Sequence, residues 1–82
     1  MILVFDKLRN YIEDRSFHFQ YFDSKLDVVN YLELVVLEES RITLRYTGGL
    51  FIIKGSNLSV NKLLDNEILI SGHIQSMEFG GR

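Results

Sequence analysis

Two histidines, His18 and His73, and a scatter of carboxylates are the residues of this 82-residue chain whose types could do chemistry. The histidines lie far apart, and neither has a second ligand at the i, i+4 spacing of a helical metal site. His18 sits among aromatic residues and His73 follows Gly72, so both read as strand or surface histidines. Glu38 and Glu39 are adjacent, and adjacent residues on a strand point to opposite faces. A catalytic carboxylate pair instead converges across a cleft. Asp65 and Glu67 flank Asn66 in a polar stretch that reads as a turn. Gly48-Gly49 and Gly55 lack the Lys-Ser/Thr that completes a phosphate loop. With no Cys, there is no disulfide, thiolate nucleophile or cysteine metal site. The expectation is no enzyme, no cofactor, no metal site and no small-molecule substrate.

Charge narrows the partners. Lys and Arg number 9 against 11 Asp and Glu, a net of −2. Phosphate backbones demand clustered cations, so nucleic acid is an unfavoured partner. The route left open is a small nucleic-acid-binding β-barrel that gathers Arg41, Arg45, Lys54 and Lys62 on one face. No transmembrane segment is expected, because uninterrupted apolar runs such as Leu34–Leu37 fall far short of the about 20 residues a span needs. The opening Met1–Phe5 run precedes its charges, Asp6, Lys7 and Arg9, which is the wrong order for a secretory signal.

The elements that would position these residues are mostly strands. There is no Pro, and Ala, the best helix former, is absent. Phe and Tyr number 6 and 4, among many Ile and Val, types that fit a pleated surface. One domain is expected over residues 1–82, with a helix over about 2–13 and a β region over about 17–79. The helix rests on Phe5, Leu8 and Ile12 at i, i+3 and i+7. Phe17, Phe19 and Tyr21 alternate with polar residues as a strand with one aromatic face. Asp23-Ser24-Lys25 breaks it. Residues 26–37 read as one strand, apolar on both faces, with Val29, Tyr31, Val35 and Leu37 on one parity. Turns are expected at Glu38-Glu39-Ser40, Thr47-Gly48-Gly49, Gly55-Ser56-Asn57 and 64–67. Gly72 reads as a bulge within a last strand from Ile68 to Phe79.

The fold class is therefore mainly β: a small antiparallel meander or sandwich with one N-terminal helix. Phe51–Gly55 and Ile68–Gly72 match at an offset of 17 residues, so short β-solenoid-like rungs are an alternative. The expected core holds Phe5, Leu8, Phe19, Leu32, Leu34, Val36, Ile42, Leu44, Ile52, Val60, Ile68, Ile70 and Ile74. Gly48, Gly49, Gly55 and Gly72 are the expected structural turns. A small domain leaves much apolar surface unburied. Phe17, Phe19, Tyr21, Val29, Tyr31, Val35 and Leu37 are the candidate interaction surface, for a protein partner or for homo-oligomerisation.

Ser40–Leu44, Gly49–Val60, Glu67–Ile74 and Met77–Phe79 carry a pattern of glycine, apolar strand, Lys-Gly, Leu-x-Val, polar turn and Glu-apolar-x-Ile-x-Gly-x-Ile. In this, about Asp27 to Phe79 resembles the YabP/YqfC family of small sporulation proteins of endospore-forming Firmicutes. Where that family tends to carry a Glu-Asn-His-like stretch, this chain reads Tyr31–Glu38 without His, as a divergent member would. The resemblance implies a non-enzymatic structural or adaptor role in endospore formation, in the mother-cell cytoplasm, and brings no catalytic residue. A self-assembling scaffold of the bactofilin-like kind is the alternative the 17-residue repeat suggests.

Overall fold

The computed structural model describes residues 16–81; the expected helix over 2–13, and Phe5 and Leu8 with it, lie outside them. Six strands follow in order: β1 His18–Phe22, β2 Lys25–Val29, β3 Glu33–Leu37, β4 Arg41–Tyr46, β5 Gly49–Leu63 and β6 Glu67–Gly80. They form one sheet in the order β1-β2-β6-β5-β4-β3, and each of these pairings is antiparallel.

Local chemistry sets the hairpins. Asp23 and Ser24 both take positive φ (53° and 61°), the two-residue turn whose twist suits a hairpin, and Phe22 pairs with Lys25 across it. Glu38 and Arg41 exchange backbone hydrogen bonds of 2.9 and 3.3 Å around the β3–β4 turn. Thr47-Gly48 turns β4 into β5, with Tyr46 paired to Gly49.

The expected strand over 26–37 is two strands. Asn30 takes φ 68°, a left-handed conformation that asparagine tolerates. It is held there because its N–H donates to the Asn66 carbonyl (2.6 Å) and its side-chain amide to the Ser16 carbonyl (2.8 Å). The chain therefore leaves β2, and two residues later the Leu32 N–H reaches the Arg45 carbonyl. β3 is consequently an edge strand, not a central one.

The sheet is curled rather than flat. β1 and β5 stand three strand spacings apart, about 14 Å in a flat sheet. Yet the rings of Phe19 and Phe51 stack with centroids 4.8 Å apart. The bend lies in the long strands. β4 pairs only with residues 49–54 of β5, whereas β2 pairs only with residues 67–71 of β6. Between these halves the β5–β6 register shifts at 54/55, 56/59 and 60/62. Gly55 and Gly72 occupy this corner. A Cβ on Gly55 would stand 2.0 Å from the His73 carbonyl oxygen. One on Gly72 (φ 122°) would stand 2.5 Å from that of Asn57.

Two expectations are corrected here. Gly55-Ser56-Asn57 is not a turn, since β5 runs through it as a bulged corner. Solenoid rungs are also excluded for the described residues. Rungs stack in parallel, whereas Phe51 pairs antiparallel with Phe79 and Ile70 with Val60. The 17-residue repeat marks one corner met twice, once on each long strand. Gly72 does sit at a bulge.

Leu26, Val28, Ile68 and Ile70 from one half of the curl meet Ile42, Leu44, Phe51 and Ile53 from the other, and all eight are fully buried. Each such side chain contributes roughly 1.5–3 kcal/mol of burial. Ile42, Leu44, Ile68 and Ile70 were expected inside. Ile52 is only half-buried, because the inward parity of β5 belongs to Phe51 and Ile53. Leu32 is 61% exposed, in the link that Asn30 creates. Leu34, Val60 and Ile74 pack at the core's margin. Val36 is half-buried, and Phe19 is exposed.

Candidate interaction surface

At one end of the curl the inner face runs on past the core. Phe51 pairs with Phe79 and Ile53 with Met77, so Phe79 and Met77 share the inward parity of buried residues. Both are nonetheless exposed, Phe79 at 55%. From β1, Phe19 and Tyr21 pair with Val28 and Leu26 on the same inner face, and both are exposed too. The rings interlock around Phe51. Phe79 stacks on it at 4.9 Å, Phe19 at 4.8 Å, and Phe17 meets its edge at 5.5 Å. Phe17 also stacks on Tyr46 at 4.3 Å. Such pairs are worth about 0.5–1.5 kcal/mol each beyond area burial. The result is an aromatic platform, rooted in the core and open to solvent.

The seven candidate residues do not form one surface. Phe17 and Phe19 belong to the platform, and Tyr21 lies farther along β1 on the same inner face. Val35 and Leu37 are exposed on β3, at the opposite edge, and Val29 is half-buried on the outer face of β2. Tyr31 is buried and is no surface residue. Its hydroxyl donates to the Leu64 carbonyl at 3.0 Å. Burial, and then the negative charge of Asp65, raise its pKa above 10. Tyr46, Phe51, Met77 and Phe79 were missed, because only the β5–β6 register brings residues 51 and 79 together. Of the expected turn glycines, Gly48 lies in a turn and Gly49 starts β5 with φ 141°.

The polar residues are largely committed to one another. Arg45 Nε bonds Glu33 at 3.0 Å, Lys54 reaches Glu78 at 3.4 Å, and Lys62 lies 3.9 Å from Glu67. Three of the four cations expected on a basic face thus already have carboxylate partners. An open depression of about 510 Å³ is lined by Asn30, Tyr31, Leu32, Thr47, Asp65 and Asn66. Its two asparagines bond each other at 3.3 Å. Among the described residues, no three His, Asp or Glu side chains converge as metal ligands, and no helix is long and apolar enough to cross a membrane.

One carboxyl on the outer face, that of Glu67, titrates above its ordinary range. The neighbouring Asp27 would accept a hydrogen bond from a protonated Glu67, and partial burial and the Asp27 charge act in the same direction. Together these raise the Glu67 pKa above its ordinary 4.5, although Lys62 and His18 pull it back. A raised carboxyl pKa means that the folded state holds the proton more tightly. That support is complete below pH 4.5 and is lost as the pH climbs through the raised value. Glu67→Gln keeps a donor to Asp27 that does not titrate. Thermal unfolding followed from about pH 4 to 7 should show this loss in the wild type and not in the variant. Identical pH profiles would contradict the raised Glu67 pKa.

Fold and surface together define a small, curled antiparallel β protein that presents an aromatic platform on its inner face and paired charges on its outer face. The chain belongs to the YabP family, whose model matches residues 22–82, and is in that sense a sporulation-related protein. No curated protein matches its sequence.

Proposed function

We propose that the protein is a non-enzymatic structural or adaptor component of endospore formation, acting in the mother-cell cytoplasm through protein–protein contacts at the aromatic platform. The observation that carries this reading is the exposure of Phe19, Met77 and Phe79 on the inward face of the sheet. Large apolar side chains continuous with a core, yet open to water, mark surfaces that another protein covers. Aromatic residues and Met are also the types enriched in interface cores. Its rings already pack on one another, which limits the side-chain ordering that binding would cost. Family membership supports the process, and the exposed platform supports protein–protein contact as the mode of action.

The test is genetic. The gene is deleted in its spore-forming host and restored as wild type or as the double variant Phe19→Ser, Phe79→Ser. Heat-resistant spores are counted, with protein level followed by immunoblot. The wild type should restore sporulation. The double variant, present at normal level, should leave it as low as in the deletion strain. Full restoration by the double variant would reject the platform, and a deletion without a spore defect would reject the process.

A further inference from the structure

We infer that β1 is a self-pairing edge, through which two copies of this chain join across a two-fold axis into one continuous sheet. This rests on the protein–protein reading above and names the partner as a second copy.

Among the described residues, β1 lies at the end of the strand order, and all five of its residues are exposed. An edge strand offers a row of unpaired backbone donors and acceptors, and proteins usually guard such rows with charge, Pro or bulges. The other edge of this sheet is guarded in that way. β3 carries Glu33, is followed by Glu38 and Glu39, and has a register irregularity between Leu34 and Val36. Two copies joined there would bring their acids together in a chain already at net −2. The unflanked end of β6 carries Glu78, and that of β5 carries Lys62. β1, His18-Phe19-Gln20-Tyr21-Phe22, contains no Lys, Arg, Asp, Glu or Pro, and its pairing with β2 is regular throughout.

The strand is also nearly a palindrome of ring types about Gln20. Antiparallel pairing with Gln20 on the axis sets Phe19 opposite the partner's Tyr21, and His18 opposite the partner's Phe22. Aromatic cross-strand pairs of this kind stabilise antiparallel sheets. Phe19 and Tyr21 are on the inner face, so the junction would fuse the two aromatic platforms into one. The family match begins at Phe22, the last residue of β1, so this edge belongs almost wholly to the unmatched part of the chain.

The test uses the full chain. Light scattering over about a hundredfold concentration range should give the mass of two 9.6 kDa chains at the upper end. Gln20→Lys places two like charges directly opposite on the axis, and its mass should fall to one chain with an unchanged circular dichroism spectrum. The corresponding change on the guarded edge, Val35→Lys, should leave the mass at two chains. A second readout uses the absence of Cys from the natural sequence. On the axis, Gln20→Cys would bring two thiols onto strands with Cα atoms about 4.5–5.5 Å apart, within disulfide range. Mild oxidation should then link it quantitatively, and Val35→Cys should stay unlinked. A wild type that remains one chain throughout, or a Gln20→Lys variant that remains two, would overturn the inference. In the first case, a spore defect of the Phe19, Phe79 variant would leave the adaptor reading standing with a different protein as partner.

Discussion

Gly72→Ala should lower stability by about 3–5 kcal/mol, a large part of the roughly 4–12 kcal/mol expected for a chain of this size. Two terms set the figure. At φ 122° an L-residue sits in a region essentially reserved for glycine, at about 1–3 kcal/mol. The new Cβ would also lie 2.5 Å from the Asn57 carbonyl oxygen. That atom is backbone in the paired strand, so it cannot swing aside as a side chain can. Relief requires shifting β5 and β6 at the corner, where the two halves of the core are brought face to face. Gly55→Ala meets the same obstacle more severely, with 2.0 Å to the His73 carbonyl oxygen. Gly80→Ala is the control, because its nearest neighbour, Ile52 Cδ1, is at an ordinary 3.5 Å. Urea unfolding should show early midpoints, or no folded baseline, for the corner variants and a midpoint near wild type for Gly80→Ala. A Gly72→Ala midpoint equal to that of Gly80→Ala would mean that the sheet does not bend there.

These glycines also show what can be read from sequence and what cannot. Gly72 interrupts an alternating strand, and an isolated glycine in that setting indicates a bulge. Gly55 is followed by Ser-Asn, which is turn chemistry, so local propensity pointed to a chain reversal. Pairing along β6 overrode it, as seen where Gly55 faces Ile74 and Ser56 faces His73. β4 was legible because Ile42 and Leu44 alternate with polar neighbours. In Leu50–Ile53 every residue is apolar, so the parity that buries Phe51 and Ile53 was not written locally. Asn30 lies inside an otherwise unbroken apolar run, and what ends β2 there is its bonds to Asn66 and Ser16, 36 and 14 residues away. Phe17 and Phe19 of the platform showed, with Tyr21, as an aromatic alternation. Met77 and Phe79 became visible only through register. Tyr31 shared the parity of Val29 and looked outward, but the break at Asn30 turned it into the core.

Phe51 joins the core to the platform, and replacing it should separate stability from recognition. Its side chain is fully buried, and Phe17, Phe19 and Phe79 all lean on its ring. Phe51→Ala removes a buried ring at the junction of the two sheet halves and should cost about 3–5 kcal/mol. Phe79 stacks on that ring from the solvent side with more than half of its own surface exposed. Phe79→Ser therefore forfeits its stacking on Phe51 and its looser ring contacts with Phe17, Phe19 and Tyr46, but no fully buried ring, about 1–2 kcal/mol. The two variants should diverge in urea unfolding, with Phe51→Ala losing most of its folded baseline and Phe79→Ser keeping a cooperative transition at a moderately lower midpoint. In the host both should impair sporulation, but by different routes. Phe51→Ala protein should be depleted, because a larger unfolded fraction feeds degradation. Phe79→Ser protein should accumulate normally and still fail. Equal losses of stability in the two variants would place Phe79 in the core and leave the open end of the curl without a surface to offer.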